Sequence, residues 1–391
     1  MKYTPRFLQN PSFLKWSRRV GGFLLSGIIF TWLFFWYVSG TPLGLLRFGF
    51  TYFVASHVYM EPVAKTTLFE GMLQGLISSL GEPHSQYLTP QDYDAMRMQV
   101  SGTYSGVGIV IGKGQNGLEV VSAIEDTPAA KAGIKAGDNI VSIDGKSTAS
   151  MSLEEASKLM RGAAGTQVVL GIRSGSETKN VTITRADITM PTVKGKMLQD
   201  GIGYIRISQF ADQTGADFAK EYKALQAQGM KALILDLRNN PGGLLTAARD
   251  VSDYILPAGP IVTVKDRSGH TESYDSRGLE KQIPLVVLIN KGSASASEIV
   301  AGAVQDEKAG TIIGTNSYGK GTVQVVLNNL GDQGIKVTIA KYHTPNDRVI
   351  DGIGIKPDIT IELPKGASSE ADDTQLQKAI EVLMTRLQSG K

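Results

Sequence analysis

Three serines set among small residues, Ser293-Ala-Ser295-Ala-Ser297, stand just ahead of an apolar run from Ile299 to Val304. Further along, Gly319-Lys320-Gly321 holds a lysine between two glycines, and Gln324 follows shortly after. A serine and a lysine brought together can transfer acyl groups without a histidine. The serine attacks, and the lysine takes its proton if it is held neutral. The candidate nucleophile is Ser295, the candidate base Lys320, and Gln324 the group that orients the lysine. A serine hydroxyl is a poor nucleophile until a base within hydrogen-bond reach removes its proton. Lysine titrates near about 10.4 in water, the wrong side of neutral for a base. An apolar cleft lowers that value, and a lowering of about three units costs about 4 kcal/mol that the fold must supply. Val323, Val325 and Val326 are the apolar neighbours available for this. A helix that begins at Ser295 aims free N–H groups and its positive dipole end at the oxyanion formed on attack. Ala296 then carries the first oxyanion donor.

Plainer explanations exist for each half. Ser295 and Glu298 form S-x-x-E, a capping box ahead of a helix. A lysine between glycines also suits an ordinary turn. Gly314 to Lys320 reads G-x-x-x-x-G-K, close to a phosphate-binding loop, but Gly321 stands where a Ser or Thr would hold magnesium.

The surrounding motifs are longer than the chemistry requires. Gly292-Ser-Ala-Ser-Ala-Ser-Glu-Ile299, Gln305-Asp306 and Gly319-Lys-Gly-Thr-Val-Gln324 resemble the C-terminal processing peptidases, or tail-specific proteases. These are Ser/Lys endopeptidases with an inserted PDZ domain. The resemblance covers nearly everything after about residue 60. It implies that the middle serine, Ser295, is the nucleophile, with Lys320 and Gln324 beside it. It also implies that the turn within Asp236-Leu-Arg-Asn-Asn-Pro-Gly-Gly243 supplies the second oxyanion donor, from Gly242 or Gly243. Two departures occur. Glu82-Pro83-His84 stands where Asp-Pro-Tyr is usual, and Asn346-Asp347-Arg348 where Ser-Gly-Arg is usual.

These residues must be positioned by an ordinary globular scaffold. The chain has 391 residues, 42% hydrophobic and 20% charged, enough for two or three compact units. A net charge of +3 gives no argument for nucleic acid. The absence of cysteine excludes disulfides and thiolate chemistry, and none of the four histidines has metal-ligand spacing. This reading requires no metal, nucleotide or other cofactor. Strand patterns at Gly203–Phe210, Ala232–Leu237, Ile261–Val264, Leu285–Ile289 and Val337–Ala340, with a helix over Phe218–Gln228, predict an α/β catalytic unit. Leu285–Ile289 is the strand that delivers Ser295.

Ahead of that unit lies a domain of short strands, at Val107–Ile111, Leu118–Ile124, Asn139–Ile143, Val168–Ile172 and Val181–Arg185. Helices are predicted at Pro128–Ala132 and Ser152–Arg161, with turns at Asn116-Gly117 and Asp144-Gly145. Ser105-Gly-Val-Gly-Ile109, Gly133-Ile-Lys-Ala-Gly-Asp138 and Ile143-Asp-Gly145 resemble a bacterial-type PDZ domain. By that resemblance the N–H groups of Gly106, Val107, Gly108 and Ile109 hold a peptide's terminal carboxylate, with the peptide added as a strand. Arg161 is a further candidate for sensing the peptide.

The N-terminus differs from the rest. Residues 1–19 carry five basic residues and no acid, and no charge occurs from Val20 to Leu46. Val20–Ser39 has the length of a membrane-spanning helix, with Trp32, Trp36 and Tyr37 toward its far end. The basic flank belongs in the cytoplasm, which places the rest on the extracytoplasmic side, in the periplasm or cell exterior. A cleavable signal peptide is the alternative. Leu43–Met60 reads as a juxtamembrane helix, and Leu68, Met72, Leu73, Leu76 and Leu80 recur at helical spacing. At the other end Leu376, Ala379, Ile380, Leu383 and Leu387 form one apolar face, expected to dock on the core or on a second subunit as a homodimer.

The resulting expectation is an α/β catalytic unit of tail-specific-protease type, mixed sheets with packed helices, carrying an inserted α+β PDZ domain and an N-terminal transmembrane helix. Its segments are a basic cytoplasmic segment (1–19), an anchor (20–40), a helical segment (41–94), the PDZ domain (95–186), the protease core (187–363) and a C-terminal linker and helix (364–391). The expected function is a membrane-anchored serine endopeptidase that captures C-terminal tails of extended or partly unfolded proteins and cleaves through an acyl-enzyme on Ser295. A membrane-tethered PDZ scaffold with an inactive protease-like unit is the alternative.

Overall fold

The structure is a computed structural model that describes residues 11–114, 117–124, 126–328, 331, 333–364 and 372–389. Lys2, Arg6, Asn116 of the expected turn and most of the linker Pro364–Asp373 lie outside these. The chain divides into two units, residues 1–87 and 88–391.

The first unit is helical. Pro11–Ser39 is one helix of 29 residues, and its window Gly22–Ser39 is long and apolar enough to cross a membrane, with none of it buried. The expected juxtamembrane helix is shorter than predicted: Gly44–Phe53 is α-helical and then widens into a π turn at Val54–Val58. The Ser56 hydroxyl bonds back to the Tyr52 carbonyl there, an alternative to regular helical pairing. Lys65–Ser78 is a helix without a buried residue.

The second unit holds the inserted domain and the catalytic scaffold. The inserted domain is an antiparallel sheet of Ile109–Gly114, Gly117–Ala123, Asn139–Ile143, Gln167–Ser174 and Glu177–Thr184 in that order, with Lys146–Ser147 paired to its third strand. Leu118, Val120, Ile140, Ile143, Val168, Leu170 and Ile172 alternate into one core with Ala156 and Met160 of the helix Leu153–Met160. That helix starts with a reciprocal capping box between Ser152 and Glu155. Asp144 (φ 48°) and Gly145 (φ 76°) both lie in the left-handed region, as a tight hairpin turn requires. The two-stranded ribbon Thr103–Gly106 with Ala186–Thr189 closes the insertion. The boundary expected at 94/95 falls inside a helix, Pro90–Ser101, which Thr89 caps. The strand expected from Val107 begins only at Ile109, because Gly108 has φ 85°.

The catalytic scaffold is built on a sheet ordered Val193–Met197, Ile202–Ile207, Ala232–Asp236, Leu285–Ile289, Thr311–Gly314 and Ile359–Thr360. The first pair is antiparallel and the remaining strands are parallel. Ala232–Asp236 and Leu285–Ile289 are buried at every position, which explains their unbroken apolar runs. Leu233, Leu235, Leu285, Val287 and Ile289 face one core, with the helices Thr214–Ala227, Leu245–Ile255 and Ala296–Asp306. Ile234, Val286 and Leu288 face the other, which the C-terminal helix Thr374–Ser389 covers with Leu376, Ala379 and Leu383. The apolar face at the chain end therefore docks on its own sheet. A second sheet pairs Gly259–Asp266 with Thr271–Ser276 and with Gly334–His343, and the latter with Thr322–Asn328, all antiparallel.

Candidate active site

Three loops leave the carboxyl ends of three adjacent parallel strands. The Asp236–Gly243 turn follows Ala232–Asp236, the serine loop follows Leu285–Ile289, and the lysine loop follows Thr311–Gly314. This is where open α/β sheets gather their functional loops.

Ser295 caps the helix Ala296–Asp306 with φ 54° and ψ −114°, an uncommon conformation for a residue with a side chain. Its side chain is nearly enclosed, and its hydroxyl lies 3.0 Å from the hydroxyl of Tyr342. The Ser295 N–H donates to the Glu298 carboxylate at 2.8 Å. Glu298 is wholly buried and accepts three further bonds: from the Ser317 hydroxyl (2.5 Å), the Gly319 N–H (2.6 Å) and the Lys320 N–H (2.9 Å). What reads in sequence as a helix cap is thus a charged tie between the serine and lysine loops.

Lys320 is half-buried and lies ahead of the strand Thr322–Asn328 rather than on it. The ladder with Gly334–His343 shifts register between Val323 and Gln324. Close packing requires the glycine at 321: a Cβ there would lie 2.3 Å from the Asp351 backbone nitrogen. The Gln324 amide nitrogen donates to Thr322 Oγ1 at 2.7 Å and to Thr338 Oγ1 at 3.1 Å.

The Asp236–Gly243 turn is stitched to the serine loop. Asn240, fully buried, accepts from the Ala294 N–H (3.0 Å) and the Ser297 hydroxyl (3.0 Å) through its carbonyl. Its side chain accepts from the Gly242 N–H at 2.9 Å. Gly242 packs so tightly on Ser295 that a Cβ would lie 2.8 Å from Ser295 Cβ and 2.9 Å from the Ala296 nitrogen. Of the two glycines, Gly242 has its N–H committed to Asn240. Gly243 bridges Phe210 through its neighbours, by the Gly242 carbonyl and the Leu244 N–H, which leaves its own N–H outside that ladder. Asp236, at the base of this turn, is fully buried and holds Arg238 by paired contacts of 2.9 Å and 2.6 Å, and Arg238 continues to Asp373 and Gln375 at the start of the C-terminal helix. Burial lowers the Arg238 guanidinium's hold on its proton, but the carboxylates of Asp236 and Asp373 outweigh it and keep it charged.

In the inserted domain, Gly106, Val107, Gly108, Ile109 and Arg161 line one cleft with Tyr104 and Met160. Ile109–Gly114 is the edge strand of its sheet, so its outer rim is open to a further strand. The Arg161 guanidinium sits over the Tyr104 ring at 5.8 Å. Asp306 at the end of the serine helix pairs with Arg348, and it also accepts from the Asn346 N–H at 2.9 Å, holding the turn that departs from the usual motif.

Sequence reasoning gave Tyr342 no role, reading it only as the start of Tyr342-His-Thr-Pro345 ahead of the Asn346-Asp347-Arg348 departure. It read Glu298 only as a cap, and Asp236 and Arg238 only as part of a turn. The S-x-x-E spacing and its place in the Gly292–Ile299 motif were the signals available for Glu298.

Comparison with known proteins agrees with this architecture. Residues 201–361 match peptidase family S41 and residues 119–174 match the PDZ domain. The carboxy-terminal-processing protease of Bartonella bacilliformis is 42% identical over 330 residues, 82% of this chain and 75% of the relative. The carboxyl-terminal-processing protease of Synechocystis sp. is 39% identical over 323 residues, 80% of this chain and 76% of the relative. The solved photosystem II D1 C-terminal processing protease superposes with a TM-score of 0.50 at 31% identity, covering 84% of this chain and 89% of that one. The chain belongs to peptidase family S41 and is a serine-type peptidase of the carboxy-terminal-processing group, carrying a PDZ domain.

Proposed function

We propose that this peptidase is a membrane-anchored endopeptidase that captures the C-terminal tails of extended proteins in its PDZ cleft and cuts peptide bonds through an acyl-enzyme on Ser295. The observation that carries the reading is the Glu298 carboxylate, which holds the main chain of both Ser295 and Lys320 on one buried group. Lys320 takes the serine proton as Oγ attacks the scissile carbonyl, then returns it to the leaving amine. Gln324, with its amide nitrogen fixed by Thr322 and Thr338, keeps its carbonyl oxygen as an acceptor for the lysine. The Ala296 N–H at the helix start and the Gly243 N–H are the donor pair for the oxyanion. The tail enters as a strand beside Ile109–Gly114, with its carboxylate on the N–H groups of Gly106 to Ile109 and Arg161 nearby. The helix Pro11–Ser39 anchors the protein, with the catalytic unit on the extracytoplasmic side.

The test of tail capture uses the full chain carrying Ser295→Ala and two copies of an unstructured peptide with an apolar C-terminus. One ends in a carboxylate and the other in an amide. Binding of the carboxylate form alone supports the reading; equal binding of both contradicts it.

A further inference from the structure

Tyr342 lies in the strand Gly334–His343, opposite Val264, with its ring inside the main core. Its main chain and its side chain reach the two halves of the site. The Tyr342 N–H donates to the Gly321 carbonyl at 2.8 Å, immediately after the lysine. The Tyr342 hydroxyl lies 3.0 Å from Ser295 Oγ, the reacting atom. A phenol buried this way has few companions, and its partner is the nucleophile itself.

We propose that Tyr342 is a catalytic residue whose hydroxyl donates a hydrogen bond to Ser295 Oγ and acts chiefly in deacylation, when Oγ is the leaving group. The inference rests on Ser295 as nucleophile and Lys320 as base. A serine oxygen has two lone pairs and one proton. In acylation the proton goes to Lys320 and one lone pair forms the bond to the carbonyl carbon. The other lone pair can accept from Tyr342 throughout. In deacylation water attacks the ester carbon and gives a proton to Lys320. The C–Oγ bond then breaks, and Oγ leaves with negative charge and recovers its proton from the lysine. The tyrosine keeps its own proton in both halves and stabilises the departing oxygen in the second. Such a donor is worth most where charge develops. Burial, with the nearby Glu298 carboxylate adding to it, holds the phenol above its ordinary value despite the bond to Ser295, so it stays a donor.

The test is Tyr342→Phe in the full chain, which keeps the ring and removes the oxygen. Two readouts separate the half-reactions. Labelling by a fluorophosphonate reports attack by Ser295, and a p-nitrophenyl ester of an N-acylated alanine reports both the release burst and the turnover after it. The expected result is labelling within about threefold of wild type, a burst of one equivalent per site, and post-burst turnover slowed about 10- to 100-fold, as for the loss of one hydrogen bond to a charged group. Unchanged post-burst turnover overturns the proposal. Equal loss of labelling and turnover, with an unchanged melting temperature, also overturns it, because the hydroxyl then serves attack rather than departure. Ser295→Ala is the control for the underlying reading. If that variant still turns over ester, the nucleophile is misassigned and the proposal falls with it; if it is inert while Tyr342→Phe matches wild type, the tyrosine's role alone fails.

Discussion

The Glu298 carboxylate accepts the Lys320 N–H at 2.9 Å while its same oxygen accepts the Ser295 N–H at 2.8 Å. One buried carboxylate therefore ties together the loops that hold the proposed nucleophile and the proposed base. Its other oxygen takes the Ser317 hydroxyl and the Gly319 N–H. An amide in this place would turn its own N–H₂ toward donors on one side. Glu298→Gln is expected to lose about 2–4 kcal/mol of stability, since a buried donor cluster is left with one acceptor oxygen. Turnover should fall at least about 100-fold, because small displacements of catalytic groups are costly. Thermal melting and cleavage of an unstructured protein check both; wild-type turnover in this variant would contradict the role.

Gly242 leaves no room for a side chain beside Ser295, the proposed nucleophile. It has φ 95°, and a Cβ would sit 2.6 Å from the Ala294 carbonyl oxygen and 2.8 Å from Ser295 Cβ. Gly242→Ala must therefore push the serine loop away from the turn. The expected cost is about 1–3 kcal/mol, from the positive φ together with overpacking. Fluorophosphonate labelling should drop more steeply than stability, because the displaced atoms are those of the site. Labelling at the wild-type rate would show that the turn yields without moving Ser295.

The C-terminal helix is tied to the turn near the site through Asp373 and Arg238, at 2.9 Å. Partial burial pushes the Asp373 carboxyl up, but bonds from Arg238 and from the Leu376 N–H outweigh it and hold the group below the ordinary carboxylate range. Folding thus favours the ionised form. Its stabilisation is complete above the unfolded value of about 3.9 and is lost as pH falls through the lower folded value. Asp373→Asn should cost about 1–2 kcal/mol at neutral pH, discounted for partial exposure. Denaturant midpoints measured at pH 7 and near pH 3 should converge for the variant and wild type. A gap that does not narrow on acidification would contradict this.

Legibility in the sequence followed the physics of each element. Leu285–Ile289 was readable to the residue because a central parallel strand is apolar throughout. The helix after Ser295 was readable from S-x-x-E and the apolar run behind it. Thr322–Asn328 and Thr271–Ser276 were not, since half-exposed antiparallel strands carry mixed residues and their pairing is decided by partners far away in the chain. The same limit hid Tyr342, whose hydroxyl meets that of Ser295, 47 positions away in the chain, only once the strand Gly334–His343 has paired with Gly259–Asp266. Glu298 was visible as a cap, but its bonds to the lysine loop arise only once the two loops leave neighbouring strands. Spacing could not choose between Gly242 and Gly243, and the proposed choice of Gly243 is supported by the Asn240 side chain taking the Gly242 N–H.

The central claim is a nucleophile on Ser295 activated by Lys320. The direct measurement is degradation of an unstructured protein by the full chain in detergent, compared with Ser295→Ala and Lys320→Ala, each shown folded by its melting transition. The account predicts cleavage by the unaltered chain and a loss of at least about 1,000-fold in both variants. Cleavage by Lys320→Ala at the wild-type rate would contradict it, because the serine would then have another base.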